Sequence, residues 1–292
     1  MTTKTKALVL GGKTGLLGQA LVETLNAAGW KVEATCRHDI DYFRKDSADA
    51  LERLVDNFEP DCIFNAVGYT QVDKAEEDED AALVLNRTVP AMLGRIVKPR
   101  PIHLVHYSTD FVFNGKKTSP YEPEDPTDPI SVYGSSKLAG EEALLNLDLP
   151  NFSIIRTAWI FGPGRKNFVS TMLMLCAMEK PISVVDDQIG SPTYTLDLAK
   201  YSLKLVEAEG RGVFHIVNSG QASWCELATE AVRIAQGECR ITSIPSSEYP
   251  QKAKRPAMSV LDTSSFTSVT GIVPRPWPQA LRDYIYREFT PA

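Results

Sequence analysis

Over the first 160 residues, short apolar runs recur at intervals, separated by stretches in which apolar positions return every three or four residues. The segments 7–10, 31–35, 61–65, 102–107 and 152–157 read as strands, and the near-continuous apolar ones fit a sheet buried on both faces. Between them, 19–25, 48–58 and the stretch from Tyr133 to Glu141 carry helical spacing. A further helix is expected to open on the acidic run Glu77-Asp78-Glu79-Asp80 and to continue through Leu83, Leu85 and Asn86. Such alternation predicts an α/β protein with a Rossmann-type doubly wound parallel sheet.

Beyond Thr157 the pattern changes, through the turn-rich exit 162–167. Helices are expected at 168–178, 196–207 and 224–235, a short strand at 182–185, and a strand at 212–218 that returns to the main sheet. Residues 241–256 read as a mobile basic loop with Lys252, Lys254 and Arg255. The organisation expected is a dinucleotide-binding domain at 1–162, with a return segment near 190–218, and a smaller mixed α/β substrate lobe from 163–189 and 219–292.

Chemistry enters at the strand ends. The first strand runs into Gly11-Gly12-Lys13-Thr14-Gly15-Leu16-Leu17-Gly18, where the glycines allow a tight turn, close approach of a pyrophosphate and helix packing, and the helix N-terminus offers amides to the anion. Its G-x-x-G-x-x-G spacing departs from the common G-x-G-x-x-G. The second strand ends near Arg37, a cation suited to a 2′-phosphate, so NADPH is expected; Asp39 and Asp41 keep NADH open. Ala66, Val67 and Gly68 form a small-residue turn across which a cofactor can lie, and Thr109 ends the fourth strand facing the same crevice. Tyr133 and Lys137, four residues apart, share one helix face, and the cation is expected to lower the phenol's pKa for acid–base work.

Composition narrows the partners. In 292 residues with a net charge of −6, a general nucleic-acid or anionic-membrane surface is not expected, although a local basic pocket for phosphate is compatible with that charge. No apolar run approaches the ~20 residues that span a bilayer, and the start, Met1-Thr2-Thr3-Lys4, does not read as a signal peptide. Five scattered cysteines without C-x-x-C spacing suggest neither a disulfide framework nor zinc, and hence a reducing cytoplasm. Four histidines without ligand spacing give a metal mechanism no support.

The segments Asn65-Ala66-Val67-Gly68-Tyr69-Thr70-Gln71-Val72-Asp73, Ser108-Thr109-Asp110-Phe111, Tyr133-Gly134-Ser135-Ser136-Lys137, Arg156-Thr157-Ala158-Trp159, Asn167-Phe168-Val169, Asp187-Gln188-Ile189-Gly190-Ser191-Pro192 and Arg255-Pro256 stand in the order of a known family. The chain resembles the extended short-chain dehydrogenase/reductases and, within them, the dTDP-4-dehydrorhamnose reductase family, nearly end to end. The resemblance implies NAD(P)H-dependent reduction of a 4-keto group to give dTDP-L-rhamnose, in nucleotide-sugar biosynthesis for cell-surface polysaccharide. It implies Tyr133 as proton donor, Lys137 on the nicotinamide ribose, Thr109 on the keto oxygen, and a cofactor turn at Gly12, Lys13, Thr14, Gly15, Leu16, Leu17 and Gly18, with Ala66, Val67 and Gly68 beneath the nicotinamide. Asp110 and Trp159 match sugar-contacting positions, and Thr70, Asn167 and Gln188 fall in substrate-side motifs. Arg255 is expected to reach the diphosphate. Of the glutamates through which some members form magnesium-linked dimers only Glu288 is matched, Ala20 and Leu196 replacing the others, so no metal site is expected and the chain is read as a monomer or homodimer. The alternatives left open are another nucleotide-sugar 4-ketoreductase, an epimerase, or a non-catalytic NADP-binding subunit.

Overall fold

The computed structural model describes residues 5–289, so the four opening residues lie outside it. Strand β1 (Lys6–Leu10) is followed by α1 (Leu16–Ala27), β2 (Lys31–Ala34), α2 (Ser47–Phe58), β3 (Cys62–Asn65), the short α3 (Val72–Ala75) and α4 (Glu79–Leu83), α5 (Val89–Val97), β4 (His103–Thr109), α6 (Val132–Leu145) and β5 (Phe152–Thr157). Then come β6 (Ile160–Phe161), α7 (Phe168–Ala177), β7 (Ile182–Val185), β8 (Ile189–Gly190), β9 (Thr193–Tyr194), α8 (Thr195–Glu207) and β10 (Gly212–His215). The chain closes with β11 (Ala222–Ser223), α9 (Trp224–Ile234), β12 (Ile241–Ile244), α10 (Ser264–Thr270) and α11 (Trp277–Phe289).

Six strands form one sheet in the order β10-β5-β4-β3-β1-β2, and every pairing in it is parallel. The order reverses between β1 and β3, the switch point at which open α/β sheets bind ligands beyond their carboxyl ends. Both faces are covered. Leu21 and Leu25 of α1, Leu198 and Leu205 of α8 and Leu281 of α11 pack on one side, and Leu51 of α2, Leu93 of α5 and Leu144 of α6 on the other. Strands sandwiched this way are apolar at almost every position, which is why Ala7-Leu8-Val9-Leu10 reads as a strand from sequence and is fully buried in the fold.

The expected helix after the acidic run is broken in three. Asp78 caps α4 by accepting from the Ala81 amide at 3.2 Å, and a π-helical turn over Val84–Thr88 separates α4 from α5. A π-turn inserts one extra residue per turn, which no hydrophobic period announces, and here it turns Asn86 into the interior.

The later part of the chain corrects two expectations. Residues 241–256 are not a mobile loop: β12 pairs in parallel with β7, and the segment after it is pinned by Asp73. That same pairing brings Cys239 to the end of α7, where it forms a disulfide with Cys176, 63 residues away. No local spacing signals a bridge between residues so far apart; Cys36, Cys62 and Cys225 are free thiols. Among the described residues no helix is long and apolar enough to cross a membrane.

Helix α6 is tied to the sheet by an ion pair. Glu141 and Arg156 are both buried, and the guanidinium donates to Glu141 Oε2 at 2.7 Å and to the Pro123 carbonyl at 3.0 Å. Removing one partner of such a pair strands a charge away from water, so Glu141→Ala is expected to destabilise the protein by about 3–5 kcal/mol in urea unfolding; a loss below about 1 kcal/mol contradicts the pair's anchoring role.

Candidate active site

The crevice at the switch point is built from the ends of β1, β3 and β4 and the first turns of α6. Ser131 caps α6, its hydroxyl accepting from the Gly134 amide at 3.1 Å, and this sets Tyr133 and Lys137 on the helix face turned to β4. Thr109 ends β4 and is buried. Its hydroxyl donates to Asp110 at 3.0 Å and accepts from the Phe111 amide at 3.2 Å, so it also caps the turn that follows. The Tyr133 phenol lies near enough to Thr109 for that hydroxyl to favour its ionised form, and Phe111 holds the ring edge-on at 5.6 Å. Lys137 is buried, and its ammonium donates to the Tyr107 carbonyl. Thr109 is thus brought to the helix that carries Tyr133 and Lys137, more than 20 residues further along the chain.

Their protonation is set by burial. Tyr133 is pushed up from 10.0 to about 12 by loss of water, opposed by the Thr109 hydroxyl and assisted by Asp110. The expected lowering by Lys137 is not what the site shows: desolvation of the phenol dominates, and the groups that act on it besides are Thr109 and Asp110, not Lys137. Burial brings Lys137 down from 10.5 to about 8 against the pull of Glu141, and raises the Asp110 carboxyl from 3.8 to about 6.

The glycine turn faces the same crevice. Gly11 lies against the Ala66 carbonyl, 3.2 Å from where a side chain would begin, and a Cβ on Gly18 would sit 2.3 Å from the Gly11 carbonyl, so only glycine lets α1 start this close to β1. Helix α1 has no side-chain cap and no acid in its first turn, which leaves its amides to an anion. Beside the turn lies a hollow of about 200 Å³ lined by Lys13, Glu33, Thr35, Asp39 and Ile40, placed for an adenosine half. Lys13 pairs with Asp39 at 2.9 Å, which raises the lysine pKa and lowers that of the aspartate; Asp39 also accepts from the Cys36 amide at 2.7 Å. Arg37 is exposed on the loop after β2. These residues fit a dinucleotide cofactor.

The remaining predicted residues divide. Gly68 lies beside Lys137, 3.9 Å from its Nζ to the position a Cβ would take, and Thr70 is exposed just beyond. Asp110 and Gln188 are buried and Trp159 is half-buried, all three close to strand ends. The Asn167 amide donates to Gly162, Arg165 and Tyr284 of α11, while its carbonyl caps α7. Arg255 is held by Asp73 through bonds of 2.7 and 3.1 Å, and Lys252 pairs with Glu77, so both cations face carboxylates between β3 and α4.

Three residues escaped sequence reasoning. Asn86 bonds both the amide and the carbonyl of Tyr69 and donates to Ser136 at 2.9 Å, tying the β3 turn to α6. His106 is buried next to Asn65 at 3.1 Å, and burial with Lys137 nearby keeps it well below its ordinary pKa. Arg165, 151 residues on from Thr14, donates to the Thr14 carbonyl at 3.1 Å and brings a cation to the glycine turn. The tight exit 162–167 was legible, but its return over residue 14 was not.

The chain is similar, over nearly its whole length, to proteins of known name. It is 40% identical over 282 residues to the spore coat polysaccharide biosynthesis protein SpsK of Bacillus subtilis (strain 168), covering 96% of this chain and 97% of that one. It is 37% identical to a dTDP-4-keto-6-deoxy-D-glucose reductase of Streptomyces niveus, covering 92% and 93% respectively. The crystal structure of dTDP-4-dehydrorhamnose reductase from Bacillus anthracis, in complex with NADP, superposes with a TM-score of 0.92 at 30% identity, covering 98% of this chain and 100% of that one. Residues 5–289 match the family described as RmlD substrate binding domain, and the chain belongs to that family.

Proposed function

We propose that the protein is an NADPH-dependent reductase of the 4-keto group of dTDP-4-dehydro-L-rhamnose, yielding dTDP-L-rhamnose. The observation that carries this reading is the convergence of the Thr109 hydroxyl, the Tyr133 phenol and the buried Lys137 ammonium beside a glycine turn fitted to a dinucleotide. NADPH, when bound, supplies the hydride to C4. Negative charge then develops on the sugar oxygen, and the hydroxyls of Thr109 and Tyr133, aimed there in a site shielded from water, stabilise it. Tyr133 gives up its proton to complete the alcohol, and Lys137 steadies the phenolate left behind. Gly12, Gly15 and Gly18 with the first-turn amides of α1 hold the pyrophosphate, and Ala66, Val67 and Gly68 underlie the nicotinamide. Asp110, Gln188, Trp159 and the Thr70 hydroxyl form the sugar side. The segments 163–189 and 219–292 serve as the substrate lobe. The likeness to the Streptomyces niveus reductase favours, as a second reading, an isomeric dTDP-4-keto sugar. NADPH oxidation measured across a panel of dTDP- and UDP-4-keto sugars decides between them, and turnover with none of them refutes both.

Tyr133→Phe removes the acid but not the cradle. Turnover is expected to fall about 10²- to 10⁴-fold while NADPH affinity, read by fluorescence titration, stays unchanged; near-normal turnover rules Tyr133 out as proton donor. Lys137, with its pKa brought down to about 8, is charged below that pH and neutral above it. The kcat/KM of the enzyme is therefore expected to decline as pH rises through about 8, by up to tenfold per unit. A profile flat to about pH 9.5 shows that the lysine charge is not required. With Asp39 engaged by Lys13 and the Cys36 amide, the exposed Arg37 is assigned to the 2′-phosphate. Arg37→Ala should reduce the preference for NADPH over NADH by about tenfold or more; an unchanged ratio of the two affinities removes Arg37 from that role.

A further inference from the structure

Trp159 stands on a backbone that bulky side chains avoid. Its φ is +46°, in the left-handed region, where an L residue persists only if its surroundings over-determine it. Three contacts do so. The Thr193 amide donates to the Trp159 carbonyl at 3.2 Å, fixing the chain. Gly190 comes so close to the indole that a Cβ there would lie 2.4 Å from Cε2. Trp224 lies flat on the same indole, with ring centroids 3.6 Å apart and planes 6° from parallel, and is itself backed by Phe168 at 4.6 Å.

These contacts share one support. Gly190 ends β8, and Trp224 follows directly on β11, which pairs with β8 through Ala222↔Gly190 and Ser223↔Ile189. Ser223 then caps α9 in a reciprocal box with Glu226 and donates to Asp186, so the first residue of α9 is held at a set height over the ladder. Trp159 itself is two residues past Thr157, the register partner of Thr109. Strands β8 and β11 thus deliver a bare glycine and a second indole to the one tryptophan beside the catalytic threonine. Core filling alone does not call for a left-handed tryptophan, and both indoles stay half-buried.

We propose that Trp224 is a positioning residue for the nucleotide sugar: with Gly190 it locks the Trp159 indole in the orientation that meets the sugar before the substrate arrives. An indole already fixed loses no rotamer freedom on binding, which is how preorganisation raises affinity. The proposal rests on the reading of the site as a dTDP-sugar reductase.

Steady-state kinetics of Trp224→Ala and Trp224→Phe test it, together with the exciton couplet that stacked indoles give in far-ultraviolet circular dichroism. For Trp224→Ala the KM of the nucleotide sugar is expected to rise about 2- to 10-fold, the range an aromatic pair is worth. Its kcat and its KM for NADPH should stay within about twofold of wild type, and Trp224→Phe, which keeps a ring to stack, should recover most of the loss. The couplet should be present in the wild type, absent in Trp224→Phe and Trp159→Phe alike, and perturbed by saturating dTDP-L-rhamnose. A sugar KM unchanged in Trp224→Ala, an equal rise in both KM values, or a wild type without the couplet overturns the proposal; if the alanine variant does not fold, the couplet and the phenylalanine variant decide. Wild-type inactivity toward every dTDP-4-keto sugar is a different result, since it refutes the functional reading itself.

Discussion

The site depends on a single anchored helix. Helix α6 carries the phenol and the ammonium in its first two turns, and Glu141, one turn beyond Lys137, fastens it to Arg156 of β5 inside the protein. Two opposite charges away from water tolerate little displacement, because each ångström of separation strands them both. The helix can also lie very close to its neighbour: a Cβ on Gly140 would fall 2.0 Å from the Asn86 carbonyl. The depth of α6 is therefore set by a charge pair on one side and a bare glycine on the other, and Tyr133 and Lys137 inherit it.

From that depth follows the electrostatic character of the crevice. Lys137 reaches the Tyr107 carbonyl near the end of β4, and Thr109, two residues on, lies on the phenol's side of the crevice and acts on its protonation. One strand end thus positions both members of the helix pair. The π-turn completes the arrangement, since its Asn86 links Ser136 of α6 to Tyr69 beyond β3. Strand β3, strand β4 and helix α6 become one hydrogen-bonded unit around the switch point, which is why catalytic groups far apart in sequence form a site.

Much of this was legible in the chain. Buried parallel strands announce themselves by continuous apolar runs, and the glycine turn and the Tyr133/Lys137 spacing have local physical causes, so the sheet, the glycine turn and the shared helix face of Tyr133 and Lys137 could all be placed. What stayed hidden was created by long-range contact. The Cys176–Cys239 bridge exists because β7 and β12 pair, and Arg255 pairs with Asp73, 182 residues away. Asn167, matched by motif to the substrate side, serves a helix cap, a role that motif position does not distinguish from ligand contact. The expected direction of the Tyr133 shift failed for a related reason: spacing reveals a neighbouring cation, whereas burial is a property of the folded whole.

The raised phenol pKa nevertheless suits the proposed direction of the reaction. A reductase needs its tyrosine protonated when the ketone arrives, and at about 12 the phenol is protonated throughout the neutral range. The alkoxide produced by hydride addition is the conjugate base of an alcohol, a weaker acid than any phenol, so transfer from Tyr133 still runs downhill. Lys137 matters most after that transfer, when an ammonium next to the new phenolate offsets the burial that penalised it. Burial thus keeps the acid loaded before the chemistry, and the lysine makes its discharge tolerable afterwards. A strongly lowered tyrosine pKa would favour the reverse reaction, oxidation of the alcohol, in which the phenolate must take a proton up.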